Sequence, residues 1–152
     1  MRKDIYDAVA ALVHPLPDPE DFAAANSHLS ESDQSDVFAE VCEGVVRARE
    51  QYVAELREEA EQAAERDEEF DPLLAELSRC RAQMLELERR ISLLLAYGRE
   101  FVRPQPYQLK ELASAAGLSI SGVRIAYDAD EIRDVEQIIG EKPRRPVGEE
   151  YR

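Results

Sequence analysis

The segment FDPLLAELSRCRAQMLELERRISLLLAYG, residues 70–98, carries the strongest periodicity in the chain. Apolar side chains recur there at two positions of a seven-residue repeat, which places them along one seam of an α-helix. The first position holds Phe70, Leu77, Met84 and Ile91, and the second holds Leu73, Cys80, Leu87 and Leu94. Further leucines broaden the stripe beyond a strict two-stranded seam, so we expect several helices to meet along it. We predict that the seam residues other than Phe70 make dimer contacts.

A second long helix precedes this seam. Ser30 and Asp33 form a helix-start pattern, and the helical periodicity runs from there to about Arg66. The segment RDEEFDP, residues 66–72, ends this helix because Pro72 keeps the preceding residue out of the α-helical region. Residues 34–102 are therefore expected to form a helical hairpin. The pattern leaves open whether the hairpin closes within one chain or pairs with a second copy to give a four-helix core.

The charge of the chain is strongly negative and unevenly distributed. The formal net charge is -14, and residues 1–103 carry 24 acidic and 12 basic side chains, against 9 and 7 in residues 104–152. The acidity therefore belongs mainly to the hairpin. It favours either an ordinary solvated helix surface or a partner-binding or DNA-mimicking face along ELREEAEQAAERDEE, residues 55–69.

Several other classes of protein are not favoured by the sequence. No apolar run is long enough to span a bilayer, and the N-terminal segment lacks a signal-peptide cleavage pattern, so we expect a cytoplasmic protein with reduced thiols and no membrane contact. His14 and His28 have no second ligand at metal-binding spacing. Glycine-rich phosphate loops and nucleophile motifs are also missing. We therefore expect no enzyme activity, no cofactor and no metal.

Residues 107–140 read as three short helices with clear start and stop signals. The first ends at Gly117, which takes the left-handed conformation at little cost. Ser119 is expected to cap the second helix, with Val123 and either Ala126 or Tyr127 facing inward. A third helix is expected to begin with Asp128 paired to Glu131 and to stop at Gly140.

The run LASAAGLSISGVRIAY, residues 112–127, resembles the helix-turn-helix of bacterial and phage repressors. The residues that carry the resemblance are Ala113, Gly117, Leu118, Ser119 and Val123. It covers about 20 of the 152 residues.

The resemblance implies that the second helix, residues 119–127, enters the major groove of double-stranded DNA. With Val123 inward, Arg124 and its neighbours turn outward, where the arginine suits guanine or phosphate. Basic residues of the tail are expected along the DNA backbone or in a minor groove. The predicted DNA-binding residues are Lys110, Ser119, Ser121, Gly122, Arg124, Ile125, Tyr127, Lys142, Arg144 and Arg145.

The sequence thus predicts an all-α protein with a long helical hairpin or coiled-coil arm followed by a small C-terminal helix-turn-helix unit. The expected parts are short N-terminal helices over 1–29, an acidic dimerisation hairpin over 30–103, the helix-turn-helix domain over 104–140 and a flexible basic and acidic tail over 141–152. The favoured function is sequence-specific DNA binding by a homodimer, as in transcription regulation. The alternative is an adaptor or assembly protein, associated with polymerase or a phage component, whose acidic arm binds protein and whose helix-turn-helix does not bind DNA.

Overall fold

The computed structural model describes residues 4–146, and the regular structure within that range is entirely α-helical. The prediction of an all-α protein is therefore confirmed. The helices are α1 (Ile5–Val13), α2 (Pro19–Ala25), α3 (Glu31–Glu65), α4 (Pro72–Glu100), α5 (Leu109–Ala116), α6 (Ile120–Ile125) and α7 (Ala129–Ile139).

Short polar side chains begin the two long helices, at Ser30 as the sequence predicts and at Asp71, which the sequence analysis did not single out. The hydroxyl of Ser30 accepts a hydrogen bond from the backbone N–H of Asp33 at 3.2 Å and so begins α3. Before α4, the Asp71 carboxylate accepts the N–H groups of Leu73 and Leu74 at 2.8 and 3.0 Å. These bonds satisfy donors of the first turn, which have no partner within the helix.

The chain forms two compact units, Met1–Cys80 and Arg81–Arg152, and the division falls within α4. The sequence predicts a boundary instead between residues 103 and 104, beside the prolines that follow the helix. The reason for the difference is packing, because Leu95, Ala96 and Gly98 near the end of α4 are buried in the C-terminal unit. We refer to the two units as the N-terminal and C-terminal units.

In the N-terminal unit, α1 and α2 pack on α3. Val9, Ala10 and Leu56 are buried there. The Arg49 side chain holds the end of α1, because its Nε donates to the carbonyl oxygen of His14 at 2.7 Å. Phe22 of α2 contacts Phe38 of α3 edge to face, with 5.1 Å between the ring centroids, and this contact packs α2 against α3.

The first turns of α4 contact α3 through polar side chains. The hydroxyl of Tyr52 hydrogen bonds to the Glu76 carboxylate, and the Arg79 guanidinium contacts Tyr52, Glu76 and Glu59. Leu73 and Leu77 on the same turns remain exposed. The contact between α3 and α4 in this unit is therefore made by these polar side chains and not by Leu73 and Leu77.

The C-terminal unit folds around the end of α4. One cluster of buried side chains joins Ala96 and Phe101 to Ile132 and Val135 of α7. A second cluster joins Leu95 to Ala113 of α5 and Val123 of α6. A Cβ at Gly98 would lie 3.2 Å from a methyl carbon of Leu112, so Gly98 leaves room for the Leu112 side chain against α4.

Candidate nucleic-acid interface

The turn between α5 and α6 has the geometry that the sequence predicted. Gly117 lies in the left-handed region with φ 66° and ψ 29°, and the N–H of Leu118 donates to the carbonyl oxygen of Ala113 at 2.9 Å. Ser119 then begins α6, because its Oγ accepts the N–H of Gly122 at 2.9 Å. Two short helices are thus joined by a turn that a side chain at position 117 would strain.

Helix α6 is shorter than the predicted span of 119–127. It ends at Ile125, where the next N–H, that of Ala126, bonds to the carbonyl oxygen of Val123 rather than one residue further back. Val123 has no exposed surface and packs with Leu95 and Ala113, which confirms its inward orientation. The buried face of α6 is therefore anchored on both α4 and α5.

The outward side chains of α6 form a small exposed surface. Ser121, Arg124 and Ile125 are all exposed, and the exposed fraction of Ile125 is 85%. Their spacing of three and four residues places them on one side of the helix. Lys110 on α5 is also exposed. These four candidates remain accessible to a ligand.

Ser119 has the capping role that the sequence predicted, whereas Gly122 has a structural role that the sequence did not assign to it. The Ser119 hydroxyl oxygen caps the helix. A Cβ at Gly122 would lie 3.2 Å from that oxygen and 3.3 Å from the Cβ of Leu118. The missing side chain of Gly122 thus makes room within the turn, which is a different role from the predicted contact with DNA.

Tyr127, one of the predicted DNA-binding residues, is half-buried rather than exposed. Its ring packs against both buried clusters of the C-terminal unit. Its hydroxyl donates to Oε1 of Glu100 at 2.9 Å. Tyr127 therefore faces inward, which is the other position that the sequence analysis allowed for it. It connects α6 and α7 to the end of α4.

The basic residues after α7 divide into two kinds. Lys142 and Arg145 are exposed. Arg144 is half-buried, and its backbone N–H donates to the carbonyl oxygen of Glu100 at 2.6 Å. It is therefore packed on the C-terminal unit, whereas the sequence predicts that it belongs to a flexible tail. Residues 147–152 of the predicted tail lie outside the described residues.

The acidic residues that follow α6 are mostly engaged in local contacts. Asp128 and Glu131 form a reciprocal cap, in which each carboxylate accepts backbone N–H groups at the start of α7. The hydrogen bond from the N–H of Asp130 holds the pKa of Asp128 below its usual value. Asp130 pairs with Arg133 at 3.1 Å, and Asp134 pairs with Arg89 at 3.4 Å. Their charges are therefore partly compensated within the unit.

The predicted dimer seam is exposed along α4. Cys80 is exposed, and the six apolar side chains Leu73, Leu77, Met84, Leu87, Ile91 and Leu94 are between 39% and 61% exposed. Every residue from Arg81 to Arg90 is exposed as well. The single chain thus leaves in water the residues whose spacing predicted helix pairing.

An apolar groove of about 420 Å³ lies between α4 and α7, and the sequence had not indicated it. Its lining includes Leu93, Leu94 and Tyr97 from α4 and Ile138 from α7. Ile138 is 68% exposed. The only feature of the sequence that could have indicated the groove is Ile138, which does not share the spacing of the buried residues of α7. A single exposed isoleucine is common on a protein surface, so this feature alone does not predict a groove.

Among residues 4–146, no group of three His, Cys, Asp or Glu side chains is placed to hold a metal ion. None of the helices within that range is both long and apolar enough to cross a membrane.

Comparison of the chain with protein-family models, with curated proteins and with solved structures finds no match.

Proposed function

We propose that this chain is a sequence-specific DNA-binding protein that acts as a homodimer, as transcriptional regulators do, and that α5, the Gly117 turn and α6 form its helix-turn-helix. The observation that carries the proposal is the combination of left-handed Gly117, capping Ser119 and fully buried Val123. This combination leaves Ser121, Arg124 and Ile125 exposed on the side of α6 opposite to its buried residue. In a helix-turn-helix, that side of the second helix contacts base edges.

Each exposed residue of α6 has a chemistry suited to a base edge. Arg124 carries a guanidinium that bonds guanine at two atoms, the Ser121 hydroxyl donates or accepts, and the methyl groups of Ile125 suit the methyl of thymine. Lys110, Lys142 and Arg145 are exposed cations suited to phosphates. We assign base reading to α6 and orientation on the backbone to these three residues.

The acidic residues near α6 are compatible with this assignment. Asp128 and Glu131 are committed to the cap of α7, and Asp130 and Asp134 have arginine partners. Exposed ion pairs are weak, so some repulsion of phosphate remains. We therefore expect modest affinity that falls steeply as salt is added.

Selection from random double-stranded DNA at low salt tests the proposal, with the wild type beside Arg124→Ala. The control is Arg66→Ala, which removes the same charge from an exposed arginine of the N-terminal unit. We expect the wild type and the control to recover the same two-fold symmetric motif. We expect Arg124→Ala to lose one base preference, at a cost of about 1–3 kcal/mol on the wild-type site.

Two results would count against the proposal. Equal loss for every sequence on Arg124→Ala would assign this residue to phosphate and remove base reading by α6. No enrichment by the wild type would mean that the turn at Gly117 serves only the fold. The adaptor function would then be favoured, and it predicts that the purified chain ignores DNA and binds a protein.

A further inference from the structure

We infer that α4 pairs with α4 of a second copy in antiparallel orientation, with Met84 of one copy against Leu87 of the other. This inference rests on the homodimer in the proposed function and adds its orientation and register. The surface concerned is the exposed seam of α4, and the proposed occupant is the same surface of a second copy.

The exposed middle of α4 would be stabilised by a partner helix with a particular spacing. From Arg81 to Arg90 the side chains on all sides of the helix are exposed. An unsupported helical stretch of this length is marginal in water, and most helical stability in proteins comes from packing of an apolar face. A partner helix must present apolar side chains at the same seven-residue spacing. A second copy supplies that spacing.

The antiparallel register leaves no seam residue between Leu77 and Leu94 without a partner. In antiparallel pairs of this kind, the first seam position of one helix faces the second seam position of the other. If Met84 faces the second copy's Leu87, then Ile91 faces the second copy's Cys80 and Leu94 faces its Leu77. The two-fold axis repeats each contact, and it passes between Leu85 and Glu86.

The charges beside the seam select this register. Antiparallel pairing brings Arg81 close to the second copy's Glu88, and symmetry makes the contact twice. In the described part of the chain, neither of these side chains has an ion pair, and both are exposed. Sliding one helix by a heptad toward its C-terminus would oppose Glu88 to Glu88 and Arg90 to Arg90. Sliding it the other way would oppose Arg81 to Arg81.

Parallel pairing uses the charges less well. It would bring Arg81 close to the second copy's Glu76, since residues five apart face each other across a parallel pair. Glu76 is already half-buried between Tyr52 and Arg79 and bonds to both. Glu88 would face an uncharged glutamine, Gln83. The antiparallel register pairs two charges that are otherwise exposed to water.

The register also sets a distance between the two C-terminal units. The buried clusters of this unit rest on Leu95 and Ala96. These residues lie about ten positions from the two-fold axis, and α4 rises about 1.5 Å per residue. The two clusters are therefore about 30 Å apart along the α4 pair. This is close to one turn of B-DNA, about 34 Å, which separates two successive major-groove half-sites.

A charge exchange tests the register without DNA. We expect Arg81→Glu and Glu88→Arg each to raise the dimer dissociation constant roughly tenfold, since each change turns two attractive contacts into repulsive ones. The double variant Arg81→Glu with Glu88→Arg should return close to the wild-type value. Residues 81 and 88 are seven apart and do not contact each other within one helix, so restoration must come from the second copy. A double variant as weak as the single variants would overturn the register.

Chemical cross-linking gives a second, independent readout. In a background with Cys42→Ala and Cys80→Ala, a chain with Leu77→Cys is mixed with a chain with Leu94→Cys and treated with a short bismaleimide. We expect cross-linked dimer in the mixture, little from either chain alone, and little from Ala82→Cys, which lies on the outer side of α4. Efficient cross-linking of Leu77→Cys alone would show parallel pairing and overturn the inference.

The outcomes separate this inference from DNA binding. A wild-type chain that stays monomeric in light scattering would overturn both the homodimer and its register. A dimer that fails the charge exchange and the mixed cross-link overturns the register alone. A dimer that passes both but enriches no DNA sequence overturns the DNA-binding function and leaves the register in place.

Discussion

The left-handed conformation of Gly117 predicts the effect of a single substitution in the turn between α5 and α6. Its φ is 66°, and an added Cβ would meet nothing within 4 Å, so a side chain there is penalised by backbone conformation alone. We expect Gly117→Ala to lower the free energy of unfolding of the C-terminal unit by about 1–2 kcal/mol. Gly117→Asn is the matched control and should cost less, because asparagine tolerates the left-handed region. Urea unfolding measures both, and an alanine variant as stable as the wild type would contradict the turn geometry.

Tyr52 gives a prediction for alkaline pH. Burial, followed by the hydrogen bond and charge of Glu76, raises the pKa of Tyr52 to about 12 from an unfolded value of 10.0. The unfolded chain therefore loses the phenolic proton first, and the stabilising contribution is complete below pH 10 and is lost as pH rises toward 12. We expect the free energy of unfolding of the wild type to fall more steeply over this range than that of Tyr52→Phe.

Tyrosinate absorbance checks the same value directly. The difference between the titrations of the wild type and Tyr52→Phe isolates this one phenol among the six tyrosines. An apparent pKa close to 10 in that difference would contradict the contact between Tyr52 and Glu76. The other five tyrosines serve as the internal reference in both titrations.

Single residues show where the sequence was informative. Val123 was predicted inward because helical periodicity decides which side of a short helix is buried, and it is fully buried. Periodicity left Tyr127 open between inward and outward, and only its contacts with the end of α4 place it inward. The structural role of Gly122 was not predictable, because the sequence does not show which neighbouring atoms a Cβ at a glycine would contact. The prediction of a DNA contact for Gly122 therefore missed its place within the turn.

At the scale of the helix, the seam of α4 predicts which substitutions disrupt the dimer. Leu87→Asp and Ile91→Asp place a carboxylate in an apolar contact between copies, so we expect monomers in light scattering. Leu85→Asp is the matched control, because Leu85 is similarly exposed but lies off the seam. Its dimer should persist. A dimer that survives both seam changes would remove the seam from the interface.

Helix ends were more predictable than the extent of the units. Start and stop signals act over a few residues, and Ser30, Ser119, Asp128, Gly117 and Gly140 have the capping geometry that their types predicted. The position of the boundary within α4 depends on long-range packing of Leu95 and Ala96. No local signal marks it, because the helix continues unbroken through the boundary.

At the scale of the whole molecule, the proposed dimer predicts the layout of its DNA site. Two inverted half-sites should be centred about one helical turn, roughly 10 base pairs, apart, since the antiparallel α4 pair separates the two C-terminal clusters by about 30 Å. A half-turn insertion of about five base pairs should weaken binding at least tenfold, because it moves one half-site to the opposite side of the DNA. Fluorescence anisotropy on a spacer series measures this, with a single half-site as the control. Binding that is indifferent to spacing would mean that a pair of α4 helices does not hold the two reading units at a fixed distance.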